Sequence, residues 1–295
     1  MPPGIIVPVI TPLLPDYTLD EDAFRRQLRR LITGGVDALF VGGTSGVGPL
    51  IPDKEWQRTV ETAIDETGDS LPLLVGVAET STPRAIDRIH LLESVGCRHY
   101  VLTPTFYIGI STQTEFLSHY GRCAEASGMN MVIYNIPACT GSGIPLETIL
   151  EMAQRGWSTT CKDSSGDKSF FESLCRQGRD VGLSVYQGLR PDFEWLASIG
   201  AAGSVPVPAN VEPETFAAAW KAAIGGERDS LERLQKRVDL LWESLVEGYD
   251  FLSGNVYALA KLGIGDGTII PPLQPANTSR QRAIDSLLAG SSNRG

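Results

Sequence analysis

The stretch MVIYNIPACTGSGIPLETILEMAQRGWSTTCKDSSGD, residues 131–167, decides the fold. Its opening run MVIYNIP (131–137) and its late run TTCKDS (159–164) are short and rich in β-branched residues, with no polar face of their own. Strands of that kind are covered on both sides, as parallel sheets are. Between them Ile144-Pro145-Leu146-Glu147 opens a helix, because proline is preset for the first turn and an acid suits its dipole. A strand, a helix and a second strand in that order make one βαβ unit.

The same unit recurs in both directions. Upstream lie GIIVPVI (4–10), ALFVGG (38–43), LLVGVA (73–78) and HYVLTP (99–104); downstream lie LSVYQG (183–188) and GSVPV (203–207). Amphipathic segments separate them. Asp20 to Thr33 puts Phe24, Leu28, Leu31 and Ile32 on one face and stops at Gly34-Gly35. Ile51-Pro52-Asp53-Lys54-Glu55, Ser81-Thr82-Pro83-Arg84 and Val211-Glu212-Pro213-Glu214 read as further helix starts. Eight strand–helix units predict an α/β fold, a (β/α)8 TIM barrel over residues 1–224, a size that suits the usual length of about 250 residues. The remainder, 225–295, predicts extra C-terminal helices over 227–247, 255–262 and 279–288, packed on the barrel as one structural unit. A doubly wound open sheet is the rival topology.

Composition narrows the function. The chain has 295 residues, 42% of them apolar, and a net charge of -10 from 25 basic and 35 acidic side chains. That charge repels a phosphate backbone or an anionic bilayer, so neither nucleic acid nor membrane is an expected partner. The apolar runs are too short to span a bilayer and no secretory leader precedes them, which makes the cytoplasm the expected compartment. Five widely spaced cysteines without C-x-x-C read as reduced thiols, and three scattered histidines predict no metal site.

In a barrel, chemistry belongs at the C-terminal strand ends. Of six lysines, Lys162 alone lies within a strand pattern. Alternation sets Thr160, Lys162 and Ser164 on one face, toward the barrel interior or the helix layer. Neither is wet, and desolvation there favours a free amine able to attack a carbonyl. A lysine paired with Asp163 explains the pattern equally well. Tyr134 precedes its strand break by a similar distance on the next strand, so it can relay protons beside Lys162 or simply pack. The loop Gly42-Gly43-Thr44-Ser45-Gly46-Val47-Gly48-Pro49 offers convergent amides and two hydroxyls to a small carboxylate. It has neither a Walker lysine nor G-x-G-x-x-G spacing.

Together these motifs resemble the dihydrodipicolinate synthase and N-acetylneuraminate lyase family of Schiff-base aldolases, from GIIVPVITPL through GGTSG, LTP, YNIPACTG and CKDSSGD to ANVEPE. The resemblance implies that Lys162 forms an imine with a 2-oxo acid and that Tyr134 shuttles protons. It implies also that Thr44 and Ser45, with Gly43, grip the carboxylate. No cofactor is implied, because the lysine supplies the electrophile. A homo-oligomer, commonly a tetramer in that family, is implied by analogy alone.

The chain departs from the synthases at several places. Their YN-x-P-x-R-T-G arginine, which binds a second substrate, is here Cys139, and their GTTGE loop is GTSGVGP, nearer to 2-keto-3-deoxygluconate aldolases. Thr105-Phe106-Tyr107 stands where a tyrosine pair is frequent, so any relay to Thr44 runs through Tyr107. Gly188-Leu189-Arg190 follows the seventh strand, and Arg190 either meets a second negative charge or is a solvated helix-start residue. Ser164 and Glu79 complete the positions facing the mouth. The resemblance implies a lyase that cleaves or forms a 2-keto-3-deoxy sugar acid or related 2-oxo acid, with pyruvate as one product. Dehydration of such an acid through the same imine is the alternative. Dihydrodipicolinate synthesis and a non-catalytic barrel that binds an organic acid are further readings.

Overall fold

The computed structural model describes residues 1–246 and 250–292. Eight parallel strands close a barrel in chain order: β1 (Gly4–Pro8), β2 (Ala38–Val41), β3 (Leu73–Val77), β4 (His99–Leu102), β5 (Asn130–Asn135), β6 (Ser158–Asp163), β7 (Ser184–Gln187) and β8 (Gly203–Ser204). Each coincides with one of the eight apolar runs, and the open sheet is excluded because β8 pairs with β1. The fold is a (β/α)8 TIM barrel with additional C-terminal helices.

Period-two alternation explains why the runs lack a polar face. Ile6, Phe40, Leu74, Val101, Val132, Tyr134 and Tyr186 fill the barrel interior as one buried cluster. Their neighbours Ile5, Val7, Leu39, Val41, Val75, Ile133 and Cys161 pack outward against the helices in a second cluster. Both faces exclude water, so both must be apolar.

The helices are α1 (Glu21–Thr33), α2 (Asp53–Thr67), α3 (Thr82–Ser94), α4 (Gln113–Glu125), α5 (Pro137–Thr140), α6 (Leu146–Gln154), α7 (Lys168–Asp180), α8 (Phe193–Ser198), α9 (Pro213–Gly225), α10 (Arg228–Leu245), α11 (Ser253–Lys261) and α12 (Thr278–Ser292). Asp20 caps α1 by accepting from the Ala23 amide at 3.0 Å, and the helix ends at Gly34, within one residue of the predicted span.

Two strand ends differ from the sequence pattern. The run 131–137 ends as a strand at Asn135, since Pro137 instead starts the one-turn helix α5. The run 203–207 keeps only two strand residues. Pro206 has no N–H for the ladder, and the chain turns into a 3-10 helix, Val207–Asn210.

Helices α10 to α12 contribute Leu231, Val238, Leu241, Leu245, Leu259 and Ile284 to the same buried cluster as the outer strand faces. Arg280 on α12, 2% exposed, donates to Ser253 Oγ at 3.0 Å and to the Asp250 and Leu245 carbonyls, which ties the three helices together. The predicted helix 227–247 corresponds to α10; residue 247 lies outside the described residues. Among the described residues no helix is long and apolar enough to cross a membrane.

Candidate active site

Lys162 and Tyr134 are register partners on adjacent strands β6 and β5, so their side chains leave the sheet at one level and on one face. That face is the barrel interior. Lys162 is 6% exposed and Tyr134 3% exposed. Lys162 Nζ lies 4.1 Å from the Tyr134 ring centroid and 5.1 Å from that of Phe40. Among the described residues it forms no salt bridge, so the pairing with Asp163 that the sequence left open is absent. The amine is therefore committed to no carboxylate among the described residues and is available to a ligand.

Phe40 was not singled out by sequence, because a strand phenylalanine reads as core. It connects two parts of the site. Its ring meets Tyr134 edge to face, with centroids 6.2 Å apart, and a side chain at Gly43 would strike its tip at 2.5 Å. The hydroxyl loop thus rests its backbone on the same ring that lies beside Lys162.

The loop itself is held firmly. Val47 adopts φ 49, uncommon for a β-branched residue, and is retained by its amide bond to the Thr44 carbonyl at 3.2 Å. Gly48 N donates to the Gly43 carbonyl at 3.1 Å, and Thr11 Oγ1 donates to the Gly46 carbonyl at 2.8 Å. Ser45 is buried and Thr44 half-buried. Among the described residues neither hydroxyl is hydrogen-bonded within the chain, which leaves both for a ligand.

On the other side of Lys162, Gly188 keeps space open. A Cβ there would lie 2.1 Å from Ser164 Oγ and 2.7 Å from Lys162 Cε. Ser164 Oγ is buried without a partner, and Thr103 Oγ1, at the end of β4, is in the same condition. A buried hydroxyl without a partner among the described residues suits a ligand oxygen, and that of Ser164 lies beside the same Gly188 position as Lys162 Cε. Thr103 was missed although it stands in the LTP motif.

Behind the catalytic face, Asn135 Nδ2 donates to Asp163 Oδ1 at 2.6 Å, and Ser165 Oγ donates to Asp163 Oδ2 at 2.8 Å. Burial raises the Asp163 carboxyl above its usual range, while these two donors pull it back.

The remaining predicted residues are placed differently. Cys139 is exposed on α5; the surrounding protein raises its thiol pKa, and the Lys162 charge acts in the opposite sense. Tyr107 is 93% exposed with φ 74, and within one chain it does not join the group around Lys162. A relay from Thr44 through the chain's own Tyr107 is therefore not built here. Arg190 pairs with Asp239 at 3.1 Å and Glu243 at 3.2 Å on α10, and its partly exposed side chain lines a crevice with Asp163, Gln187 and Leu189. Glu79, 5% exposed, is paired with Arg84 at 2.7 Å and Arg88 at 2.6 Å. A crevice of about 860 Å³ lined by Arg30, Glu212, Arg237 and Lys261 contains none of the site residues.

Known proteins with the same layout share the sequence as well. The chain is 30% identical to a 4-hydroxy-tetrahydrodipicolinate synthase of Streptomyces coelicolor, over 91% of this chain and 87% of that protein. It is 29% identical to an uncharacterised DapA-like lyase of Halobacterium salinarum, over 97% and 93% of the two chains. The solved dihydrodipicolinate synthase of Bacteroides thetaiotaomicron superposes with a TM-score of 0.90 at 27% identity, covering 97% of this chain and 98% of that one. The family model of the dihydrodipicolinate synthetases matches residues 1–290, and the chain belongs to that family.

Proposed function

We propose that the chain is a Schiff-base lyase that cleaves or forms a 2-keto-3-deoxy sugar acid or a related 2-oxo acid, with pyruvate as one product. The observation that carries the reading is Lys162: buried, in no salt bridge among the described residues, with its amine 4.1 Å from the centre of the Tyr134 ring. Lys162 Nζ attacks the 2-oxo carbon, and the Tyr134 phenol gives its proton to the carbinolamine hydroxyl, which leaves as water and yields an imine protonated on nitrogen. The Tyr134 phenolate then takes the proton of the C4 hydroxyl, the C3–C4 bond breaks, and its electron pair moves into the C2–C3 bond as the iminium is neutralised. An aldehyde departs. The enamine then gains a proton at C3, and hydrolysis returns pyruvate and the free amine.

Thr44, Ser45 and the amides around Gly43 are suited to the carboxylate, which fixes the 2-oxo carbon near Lys162. The free hydroxyls of Ser164 and Thr103 favour a polyhydroxylated substrate, since each buried oxygen gains a partner when one binds. Cys139, where the synthases carry an arginine, speaks against a second anionic substrate. The exposed Tyr107 and Ile108 give a further copy of the chain an apolar tip to cover, in keeping with a homo-oligomer.

Borohydride reduction in the presence of pyruvate, read by intact mass, tests the chemistry: one pyruvate-derived adduct is expected, and an unmodified chain overturns the reading. A panel of 2-keto-3-deoxy acids, assayed for pyruvate, then tests the substrate. A 2-oxo semialdehyde without pyruvate would reassign the chain as a dehydratase.

A further inference from the structure

Strands β5 and β6 do not keep a single register. Met131 pairs with Ser158, but Ile133 pairs with Cys161, so β6 takes up one extra residue between those two pairs. Ser158 Oγ fills the irregularity, accepting from the Thr160 amide at 3.1 Å and donating to the Met131 carbonyl at 2.6 Å. The pairing after such a bulge is offset by one residue from the pairing before it, so it needs its own contacts to hold it. A slip by one residue would turn Lys162 from the barrel interior to the helix layer and part it from Tyr134.

Just past the bulge, the next pair after Tyr134 and Lys162 is Asn135 and Asp163. Their side chains project to the opposite face and meet at 2.6 Å, both nearly inaccessible to water. Each is held from elsewhere as well. Asn135 Oδ1 accepts from the Ile144 amide at 3.0 Å, which secures the chain leaving α5, while Ser165 Oγ donates to Asp163 at 2.8 Å. The Asn135 carbonyl accepts from Ser164 N and the Asp163 carbonyl from Gly188 N, both at 2.8 Å, so the pair also ties the loop after β6 and the start of the loop after β7.

We propose that Asn135 and Asp163 are positioning residues: their buried hydrogen bond selects the register after the bulge and thereby sets Tyr134 against Lys162. Neither touches the substrate. A one-residue slip would break the Asn135–Asp163 bond and leave the Asn135 Nδ2 donor and Asp163 Oδ1 without each other in a buried setting, which is costly. The catalytic geometry on the inner face is thus fixed from the outer face. Sites work only when held within about 0.5 Å by supporting hydrogen bonds.

The proposal rests on the Schiff-base reading, so the probe is pyruvate itself. In an imine with Lys162, pyruvate exchanges its methyl protons for deuterium through the enamine, which proton NMR follows directly. Borohydride trapping of the wild-type chain comes first. A wild type that is not trapped overturns the Schiff-base reading and the clamp with it. Given trapping, Asp163→Leu is expected to lower the maximal exchange rate by about 10- to 100-fold while the half-saturating pyruvate concentration stays within about threefold. Asp163→Asn, which can still accept from Asn135, is expected to exchange at close to the wild-type rate. A fully active Asp163→Leu, or an Asp163→Asn as impaired as Asp163→Leu, overturns the clamp alone. If Asp163→Leu does not fold, Asn135→Ser carries the same expectation. If that variant also unfolds while Asp163→Asn folds, the pair is purely structural and the positioning role is refuted.

Discussion

Gly188→Ala isolates the steric requirement of the candidate site. The backbone at Gly188 is not in the left-handed region, so alanine meets no conformational penalty there. Its methyl group would nevertheless stand 2.7 Å from Lys162 Cε and 2.1 Å from Ser164 Oγ. Carbon atoms pack at about 3.5 Å, so the ε-carbon must retreat by roughly 0.8 Å. The hydroxyl moves by more, and it has rotamers to move into; the lysine is confined between the new methyl and the rings of Tyr134 and Phe40. Overpacking of this kind costs about 1–3 kcal/mol of stability. Displacing a nucleophile by close to 1 Å costs about 100-fold in rate, or about 2.7 kcal/mol of transition-state stabilisation. The expected result is a folded protein with a modestly lower Tm and kcat/KM for pyruvate release down by about two orders of magnitude. Wild-type turnover by Gly188→Ala would mean that Lys162 is not confined as described, and the steric argument would fall.

Three other outcomes are expected. Lys162→Ala should abolish both the borohydride adduct and turnover while the far-ultraviolet circular dichroism is retained; residual activity near wild type would contradict its role as the nucleophile. Tyr134→Phe, which keeps the ring beneath the amine, should slow turnover by about 10²- to 10⁴-fold, and an unchanged rate would reduce the tyrosine to packing. His119 supplies a pH test. It is buried, with Nε2 facing the Thr103 carbonyl at 3.1 Å and Nδ1 facing Thr82 Oγ1 at 2.9 Å, an arrangement that suits the neutral ring, and burial lowers its pKa from 6.5. The unfolded chain takes up the proton first, so this contribution to stability is complete above pH 6.5 and is lost as the pH falls below it. The urea midpoint of wild type should therefore approach that of His119→Gln between pH 8 and about pH 5, whereas a constant gap would refute the assignment.

What the sequence made legible has a physical basis. Parallel strands buried on both faces must be apolar throughout, so eight such runs separated by helix-like segments imply eight crossovers. Lys162 stood out because the strand patterns hold no other lysine, and its inward direction followed from alternation once β6 was known to line a barrel. Features that depend on distant partners were not legible. Phe40 reads as core whether or not an amine lies on its ring. The extra residue between Met131 and Ile133 on the partner strand is a property of two strands together and leaves no trace in either run.

Arg190 makes the same point with a consequence for chemistry. Its place after β7 suggested a cation facing the substrate, but Asp239 and Glu243, far along the chain on α10, take up its guanidinium. The C-terminal helices are thus part of the electrostatics of the mouth, because they neutralise a cation that the barrel loops alone would have presented. With Cys139 in place of the synthases' arginine, and Arg190 already paired with Asp239 and Glu243 on α10, neither position offers an uncommitted cation to a second anionic group. Discrimination then falls to neutral oxygens. Ser164, buried beside the Gly188 position that also faces Lys162 Cε and without a partner among the described residues, is a group whose desolvation a hydroxylated substrate would offset and a deoxygenated one would not.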